Sequence, residues 1–178
     1  TNTSVKALAI SRNNIFAGTA AGGVFLSTNN GSSWTAVNNG LTYLSIWSLV
    51  ISSGNSIYAG TLNGGVFRSG DNGASWTAVN NGIPPNSNVY SFATSGENIF
   101  AGTTVGSVGG AFLSTDKGSS WNSVSSGMPT RVPWAFAIVG NNIFAGLEGL
   151  GVWRRPLSEL IAPAAPSLVS PANGATNH

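Results

Sequence analysis

The carboxylates are the residues of this 178-residue chain with the clearest potential for catalysis: Asp71, Glu97, Asp116, Glu148 and Glu159. Two placed carboxylates let a glycosidase act as acid and as base or nucleophile. The chain contains no cysteine, so disulfides and thiolate metal sites are not available to it. Because a glycosidase needs two carboxylates, hydrolysis of a glycosidic bond by this chain would require two of these five side chains to face one cleft.

Both aspartates belong to an eight-residue motif, Ser-x-Asp/Asn-x-Gly-small-small-Trp, which occurs three times. We call residues 27–34, 69–76 and 114–121 the first, second and third box. Their shared residues are Ser27, Asn29, Gly31 and Trp34, then Ser69, Asp71, Gly73 and Trp76, then Ser114, Asp116, Gly118 and Trp121. Asp and Asn accept N–H groups of their own turn, and glycine permits positive φ. The motif therefore predicts a tight turn covered by tryptophan.

The boxes are part of a longer repeat. Their tryptophans are 42 and 45 residues apart, and a second marker, Ile-Phe/Tyr-Ala-Gly, starts at residues 15, 57, 99 and 143. Such a fixed period is the mark of a repeat architecture. In the second repeat, short apolar runs cover residues 46–52, 56–62, 65–69 and 75–79. Their length, β-branched content and Asn-Gly punctuation predict four strands per repeat.

Several of these runs are apolar on both faces, as in residues 46–51. Strands buried on both faces require sheets stacked against sheets. Four strands in each repeat of about 42 residues, stacked radially, indicate a β-propeller. We therefore predict an all-β fold of about four four-stranded antiparallel blades, the fourth of which is incomplete because it has no box.

The three motifs resemble Asp boxes, also called BNR repeats, which occur in propellers of the sialidase and sortilin superfamily and in many secreted bacterial proteins. The resemblance covers roughly residues 1–160 and implies that this chain is a fragment of a ring of six to eight blades. It implies no single activity, because one fold supports unrelated functions.

The box interpretation commits Asp71 and Asp116 to turns. Of the remaining acids, we expect Glu97 in a turn between the first and second strands of its blade, and Glu159 after the last strand. Only Glu148 falls in a loop at the opposite end of a blade. We therefore expect no catalytic residues, no metal site and no cofactor in this chain.

A ligand would bind on the face that carries the second-to-third-strand loops and the blade-to-blade connections. Alignment of the repeats puts Lys6, Trp47, Tyr90 and Trp134 at the start of each innermost strand. These side chains could stack on sugars or bind a peptide, or they could simply pack between blades. Arg131 and Glu148 are further loop candidates for ligand contact.

The composition restricts the partners. Only 7% of residues are charged, the formal net charge is +2, and no basic cluster indicates nucleic acid. No apolar stretch reaches the roughly 18 residues of a membrane span. The lack of cysteine fits an exported bacterial protein, so we expect a secreted or cell-surface location.

The chain changes character after Leu160. Residues 161–166 are rich in proline and alanine and predict an extended linker. Residues 167–176 resemble the first strand of a fibronectin type III or immunoglobulin-like module. We therefore expect propeller blades over residues 1–160, a linker and the start of a second module over 161–178, and adjacent domains in the same polypeptide.

Two functions remain open. The first is a non-enzymatic extracellular propeller that binds a carbohydrate or a peptide ligand, or serves as a scaffold, in a multidomain bacterial protein. The second is the propeller part of a polysaccharide-active hydrolase, sialidase-like or xyloglucanase-like, with catalytic residues outside this chain.

Overall fold

The computed structural model describes residues 4–161, and these residues confirm the all-β propeller fold. Four antiparallel sheets follow one another along the chain, each a meander of consecutive strands. The first two blades consist of β1 Val5–Ser11, β2 Asn14–Thr19, β3 Gly23–Ser27, β4 Thr35–Ala36, β5 Ile46–Ile51, β6 Ile57–Thr61, β7 Val66–Ser69 and β8 Thr77–Ala78. The last two consist of β9 Asn88–Ser95, β10 Asn98–Val105, β11 Val108–Ser114, β12 Asn122–Ser123, β13 Pro133–Val139, β14 Asn142–Leu147 and β15 Gly151–Pro156.

The first strand of each blade lies innermost. Strand β1 packs against β5, β5 against β9 and β9 against β13, so the four sheets fan out around one axis. Each interface between blades has its own buried apolar cluster. Strand β6 is buried at every position, as a strand enclosed between two other sheets must be.

The repeated Ala-Gly pair explains how closely the blades approach. A Cβ added to Gly18 would lie 2.6 Å from Cγ2 of Ile46 in the next blade. A Cβ on Gly60 would lie 2.7 Å from Cγ1 of Val89, again in the next blade. Glycine is therefore required in the second strands of these two blades because the neighbouring inner strand occupies the space of a side chain.

The fourth blade has three strands within the described residues, as its missing box predicts. After β15 the chain forms a short 3₁₀ turn, Leu157–Glu159, and Leu157 is buried against the third blade. The predicted linker and second module lie outside the described residues, apart from Ile161, which packs near Leu157.

Both outermost sheet faces carry exposed apolar side chains. On the first blade Leu8 is 63% exposed and Ile10 is 68% exposed. On the fourth blade Val139 and Val152 are exposed. Within residues 4–161 there is also no helix with the length and apolar character needed to cross a membrane.

Candidate functional site

Four β-bulges place one large side chain of each blade at the axis. The register between the first and second strands shifts at Lys6 in the first blade, Trp47 in the second, Tyr90 in the third and Trp134 in the fourth. A bulge inserts an unpaired residue and re-aims its side chain. The four residues that repeat alignment singles out are thus the four bulged residues. We call them the axial row.

The side chains of the axial row contact one another in sequence. The Lys6 ammonium lies 5.1 Å from the centroid of the Trp47 ring. Trp47 meets Tyr90 edge to face with ring centroids 5.5 Å apart, and Tyr90 lies 4.4 Å from Trp134. These geometries match favourable cation–π and aromatic pairs. Trp134 remains 45% exposed, so the row presents open aromatic surface.

Hydrogen bonds between neighbouring inner strands fix this spacing. The hydroxyl of Ser48, next to Trp47, donates to the carbonyl of Val89 at 3.1 Å. The hydroxyl of Ser91, next to Tyr90, donates to the carbonyl of Pro133 at 2.6 Å. Because each bond links the residue after one bulge to the residue before the next bulge, the axial row is held rigidly.

The other two predicted ligand contacts lie on the same end of the blades. Arg131 is exposed in the connection before β13, and its carbonyl oxygen would be 1.9 Å from a Cβ on Gly109. Glu148 is exposed in the loop between β14 and β15, where its N–H donates to the carbonyl of Val132 at 3.0 Å. Their backbones are therefore fixed beside the start of β13, while their side chains face solvent.

A groove of about 410 Å³ opens on this same end, between the loop after β6 and the two connections on either side of the second blade. Tyr43 and Phe67 supply its aromatic surface, and Asn63, Asn86 and Thr42 supply amides and a hydroxyl. Uncharged polar groups beside aromatic rings are the usual composition of a small ligand site.

The boxes form hairpin turns at the opposite end of the blades. In the second box, the Ser69 hydroxyl donates to Asp71 Oδ1 at 2.7 Å and accepts the Gly73 N–H at 2.8 Å. The N–H of Ser75 donates to Asp71 Oδ1 at 2.9 Å, and its hydroxyl donates to Oδ2. The third box repeats this pattern with Asp116 and Ser120. Both aspartates thus accept hydrogen bonds within their own turns.

These hydrogen bonds favour the ionised carboxylates. Hydrogen bonds from the Ser75 hydroxyl, then from the Ser75 N–H and then from the Ser69 hydroxyl lower the pKa of Asp71 to about 2. The same donors in Ser120 lower the pKa of Asp116. An acid held ionised in this way is a poor proton donor for catalysis.

The box tryptophans bind the preceding blade as well as covering their own hairpins. The Trp76 indole N–H donates to the carbonyl of Val37 at 2.8 Å, and its backbone N–H donates to that of Asn39 at 2.8 Å. Trp121 makes the same two bonds to Val79 and Asn81. We call residues 37–40, 79–82 and 124–127 the carbonyl turns. Sequence reasoning missed them, although Val-Asn-Asn-Gly recurs in two of the three.

The first box differs in its surroundings. Asn29 Oδ1 accepts from the Ser27 hydroxyl and from the N–H of Ser33, so the turn is retained without a charge. Trp34 is 41% exposed, whereas Trp76 and Trp121 are 4% and 3% exposed. Among residues 4–161 no carbonyl turn lies before the first blade to receive Trp34.

The fourth blade has a different group at the place of a box tryptophan. The Arg155 guanidinium donates to the carbonyls of Val124 at 3.4 Å and Ser126 at 3.0 Å. These carbonyls correspond to the two that Trp76 and Trp121 use on the earlier turns. Glu159 pairs with Arg155 at 3.0 Å. Leu157 packs on Phe100, the equivalent of the Phe16 that Trp76 covers.

The remaining acids are also separated from one another. Glu97 lies in the turn between β9 and β10, and its Oε1 accepts the hydroxyl of Ser53 in the second blade at 2.6 Å. All five carboxylates of the sequence lie within residues 4–161, and only Glu148 is at the axial-row end. Over this part of the chain, no three His, Cys, Asp or Glu residues form a group that could hold a metal ion.

Comparison with known proteins agrees with this architecture. A family model described as the DUF6242 beta propeller domain matches residues 1–158. A search of curated proteins finds no match.

Solved structures share the fold at low sequence identity. An ancestral GH74 enzyme aligns with a TM-score of 0.72 and 23% identity over 85% of this chain. The extracellular domain of a putative hybrid two-component system from B. thetaiotaomicron aligns with a TM-score of 0.71 and 20% identity over 85% of the chain. YCF48 bound to D1 peptide aligns with a TM-score of 0.67 and 14% identity over 90% of it. The chain spans 22%, 20% and 52% of the lengths of these three proteins.

Proposed function

This chain belongs to the DUF6242 beta propeller domain family, and from that premise we propose that it is a non-enzymatic binding module of a secreted or cell-surface bacterial protein. The three boxes support the proposal that, within the family, it is a propeller of the Asp-box type. The extracellular location is supported by the structural similarity to an extracellular bacterial domain.

The axial row is the observation on which this proposal depends. Four bulges at the same position of four blades aim a cation and three aromatic rings at one end of the axis. The 45% exposure of Trp134 leaves ring surface that packing between blades does not use. The rigid spacing preorganises the surface and lowers the entropic cost of binding.

We propose an extended neutral glycan as the ligand. Sugar rings stack their C–H faces on aromatic rings, and amide and hydroxyl groups such as those of Asn63, Asn86 and Thr42 suit sugar hydroxyls. The low charge of the chain favours a neutral ligand over a charged one. A peptide is the competing ligand, as in the peptide complex of YCF48.

The hydrolase alternative requires carboxylates from elsewhere. A glycosidase needs two placed carboxyl groups, and Glu148 is the only acid of this chain on the axial-row end. In a hydrolase parent, this chain would therefore contribute substrate binding, and other residues of the parent would perform the chemistry.

The test is binding of the purified chain to an array of neutral oligosaccharides and, in parallel, to a peptide library. Trp134→Ala should weaken binding to the best oligosaccharide at least about tenfold, the effect of about 1.4 kcal/mol. Trp34→Ala is the matched control, because Trp34 is similarly exposed but lies at the box end. Equal affinity of the two variants would exclude the axial row as the site, and binding of peptides alone would exclude the glycan.

A further inference from the structure

The outer face of the first blade is apolar and lacks a partner within residues 4–161. Pairing of Leu8 with Ala17 and of Ile10 with Ile15 puts these side chains on one face of the sheet. Leu8 and Ile10 are mostly exposed, and Trp34 extends from the hairpin of the same blade. We call Leu8, Ile10 and Trp34 the outer face.

The equivalent residues of the other blades pack against the blade before them. Leu49 and Ile51, the equivalents of Leu8 and Ile10, pack on the cluster that contains Phe16 and Val24 of the first blade. Phe136 and Ile138 of the fourth blade pack in the same way on a cluster that includes Phe100. The outer face therefore has the composition of the face that the second blade packs on the first, which consists of Leu49, Ile51 and Trp76.

Trp34 specifies what the partner must offer. Trp76 and Trp121 each donate two N–H groups to two carbonyls of a carbonyl turn. The glycine of that turn lies against the tryptophan backbone, so that a Cβ on Gly40 would be 2.1 Å from the Trp76 carbonyl oxygen. A partner for Trp34 needs the same pair of carbonyls followed by glycine.

A second copy of this chain cannot meet this requirement with its described residues. Trp76 and Trp121 occupy the carbonyl turns 37–40 and 79–82. Arg155 occupies the carbonyls of the third turn, residues 124–127. The partner must therefore be a blade with an unoccupied turn.

We propose that the outer face docks one further blade of the same polypeptide, placed before residue 1, whose carbonyl turn receives Trp34. In the three internal cases, the turn glycine precedes the bulged residue of the next blade by seven or eight positions: Gly40 before Trp47, Gly82 before Tyr90, Gly127 before Trp134. With the same spacing before Lys6, the glycine of the proposed blade's carbonyl turn would be the second or third residue before Thr1. The valine of that turn would lie three residues before the glycine.

The docking can be tested with the chain's own second blade. A copy of residues 46–88 is joined to Val5 in place of residues 1–4, which supplies a turn, 79–82, that no tryptophan occupies. Hydrogen exchange of the Trp34 indole N–H is followed by NMR, with the resonance assigned by its loss in Trp34→Phe. Exchange should slow at least about 100-fold, to the range of Trp76 and Trp121.

The control is the same extended chain with Gly82→Ala in the added copy only. The new methyl group would displace the Trp34 carbonyl, so exchange should return to the rate of the unextended chain. Fast exchange of Trp34 in a folded extended chain would overturn the proposal. So would concentration-dependent protection in the unextended chain, because a second copy would then be the occupant.

A second measurement does not depend on the folding of the extended chain. The coding sequence before Thr1 should carry glycine at the stated position and valine three residues before it. A coding sequence that lacks this pair contradicts the proposal whatever the exchange experiment shows.

Discussion

The first and second boxes have the same local conformation. Asn30 and Asn72 have φ of 55° and 57°, and Gly31 and Gly73 have φ of 84° and 85°. In both boxes the serine hydroxyl accepts the glycine N–H at 2.8 Å. The geometry is therefore the same whether the third residue of the box is Asn, as at position 29, or Asp, as at position 71. The turn is therefore a property of the eight residues themselves.

The two boxes differ in what their glycine and tryptophan contact, because only the second box has a preceding blade within residues 4–161. A Cβ on Gly73 would lie 3.3 Å from Cε1 of Phe16 in the preceding blade, whereas one on Gly31 would meet only the ring of Trp34. Trp76 is buried and Trp34 is not. The comparison separates two roles: serine, Asp/Asn and glycine make the turn, and tryptophan joins the blade to the one before it.

The largest expected effect comes from removing that tryptophan. Trp76→Ala should lower the free energy of unfolding by about 3–5 kcal/mol, because it leaves a cavity and removes the indole N–H that binds the Val37 carbonyl. Trp34→Ala should cost less than about 1 kcal/mol, as for most exposed positions. Urea unfolding followed by far-ultraviolet circular dichroism measures both. Similar losses would show that the tryptophan stabilises its own hairpin.

Glycine in the carbonyl turns gives the next largest effect. Gly40 has φ of 86° and no room for a Cβ beside the Trp76 carbonyl, whereas Gly127 has φ of 75° and nothing within 4 Å. Gly127→Ala should lower the free energy of unfolding by about 1–2 kcal/mol, the cost of holding a residue with a Cβ in the left-handed conformation. Gly40→Ala should cost at least about 1 kcal/mol more, because it also displaces the Trp76 hydrogen bonds. Equal losses in urea unfolding would mean that the close approach is unimportant.

Much of the fold follows from the sequence because its signals are local. The Ile-Phe/Tyr-Ala-Gly and box markers establish the period, and the predicted run 46–52 becomes β5 Ile46–Ile51. The box turn depends on contacts no more than four residues apart, such as those of Ser69, Asp71 and Gly73. Such contacts can be recognised from residue type and spacing.

The links between blades could not be predicted in the same way. Trp76 binds the backbone carbonyl of Val37, 39 residues earlier, and a carbonyl has no residue-specific signature. Repeat alignment locates Trp47 and Tyr90, but it does not reveal the bulges that re-aim them. Arg155 aligns with the box serines, yet it takes over hydrogen bonds that a tryptophan makes elsewhere.

Arg155 offers a test with a smaller expected effect, because it binds a carbonyl turn from a blade that has no box. Arg155→Lys should lower the free energy of unfolding by about 1–2 kcal/mol, because one ammonium cannot replace both Nη1, which donates to Val124 and Ser126, and Nε, which donates to Glu159. Glu159→Gln should change it by less than about 0.5 kcal/mol, because the Glu159 side chain is 54% exposed and its ion pair is screened. Thermal or urea unfolding checks both. A larger loss in Glu159→Gln would assign the effect to the ion pair instead.

The smallest effect concerns the charge that distinguishes Asp71 from Asn29. The folded pKa of Asp71 is lowered from 3.8 to about 2, so the unfolded chain binds more protons between these values. Its stabilising contribution is therefore complete above about pH 4 and is lost as the pH falls towards 2. Asp71→Asn should lower the melting temperature slightly at pH 6 and leave it unchanged at pH 2. Asn29→Asp should show the reverse gain at pH 6, because the first box already has the geometry that accepts a carboxylate. A pH-independent difference between Asp71→Asn and the parent chain would show that the turn does not depend on ionisation.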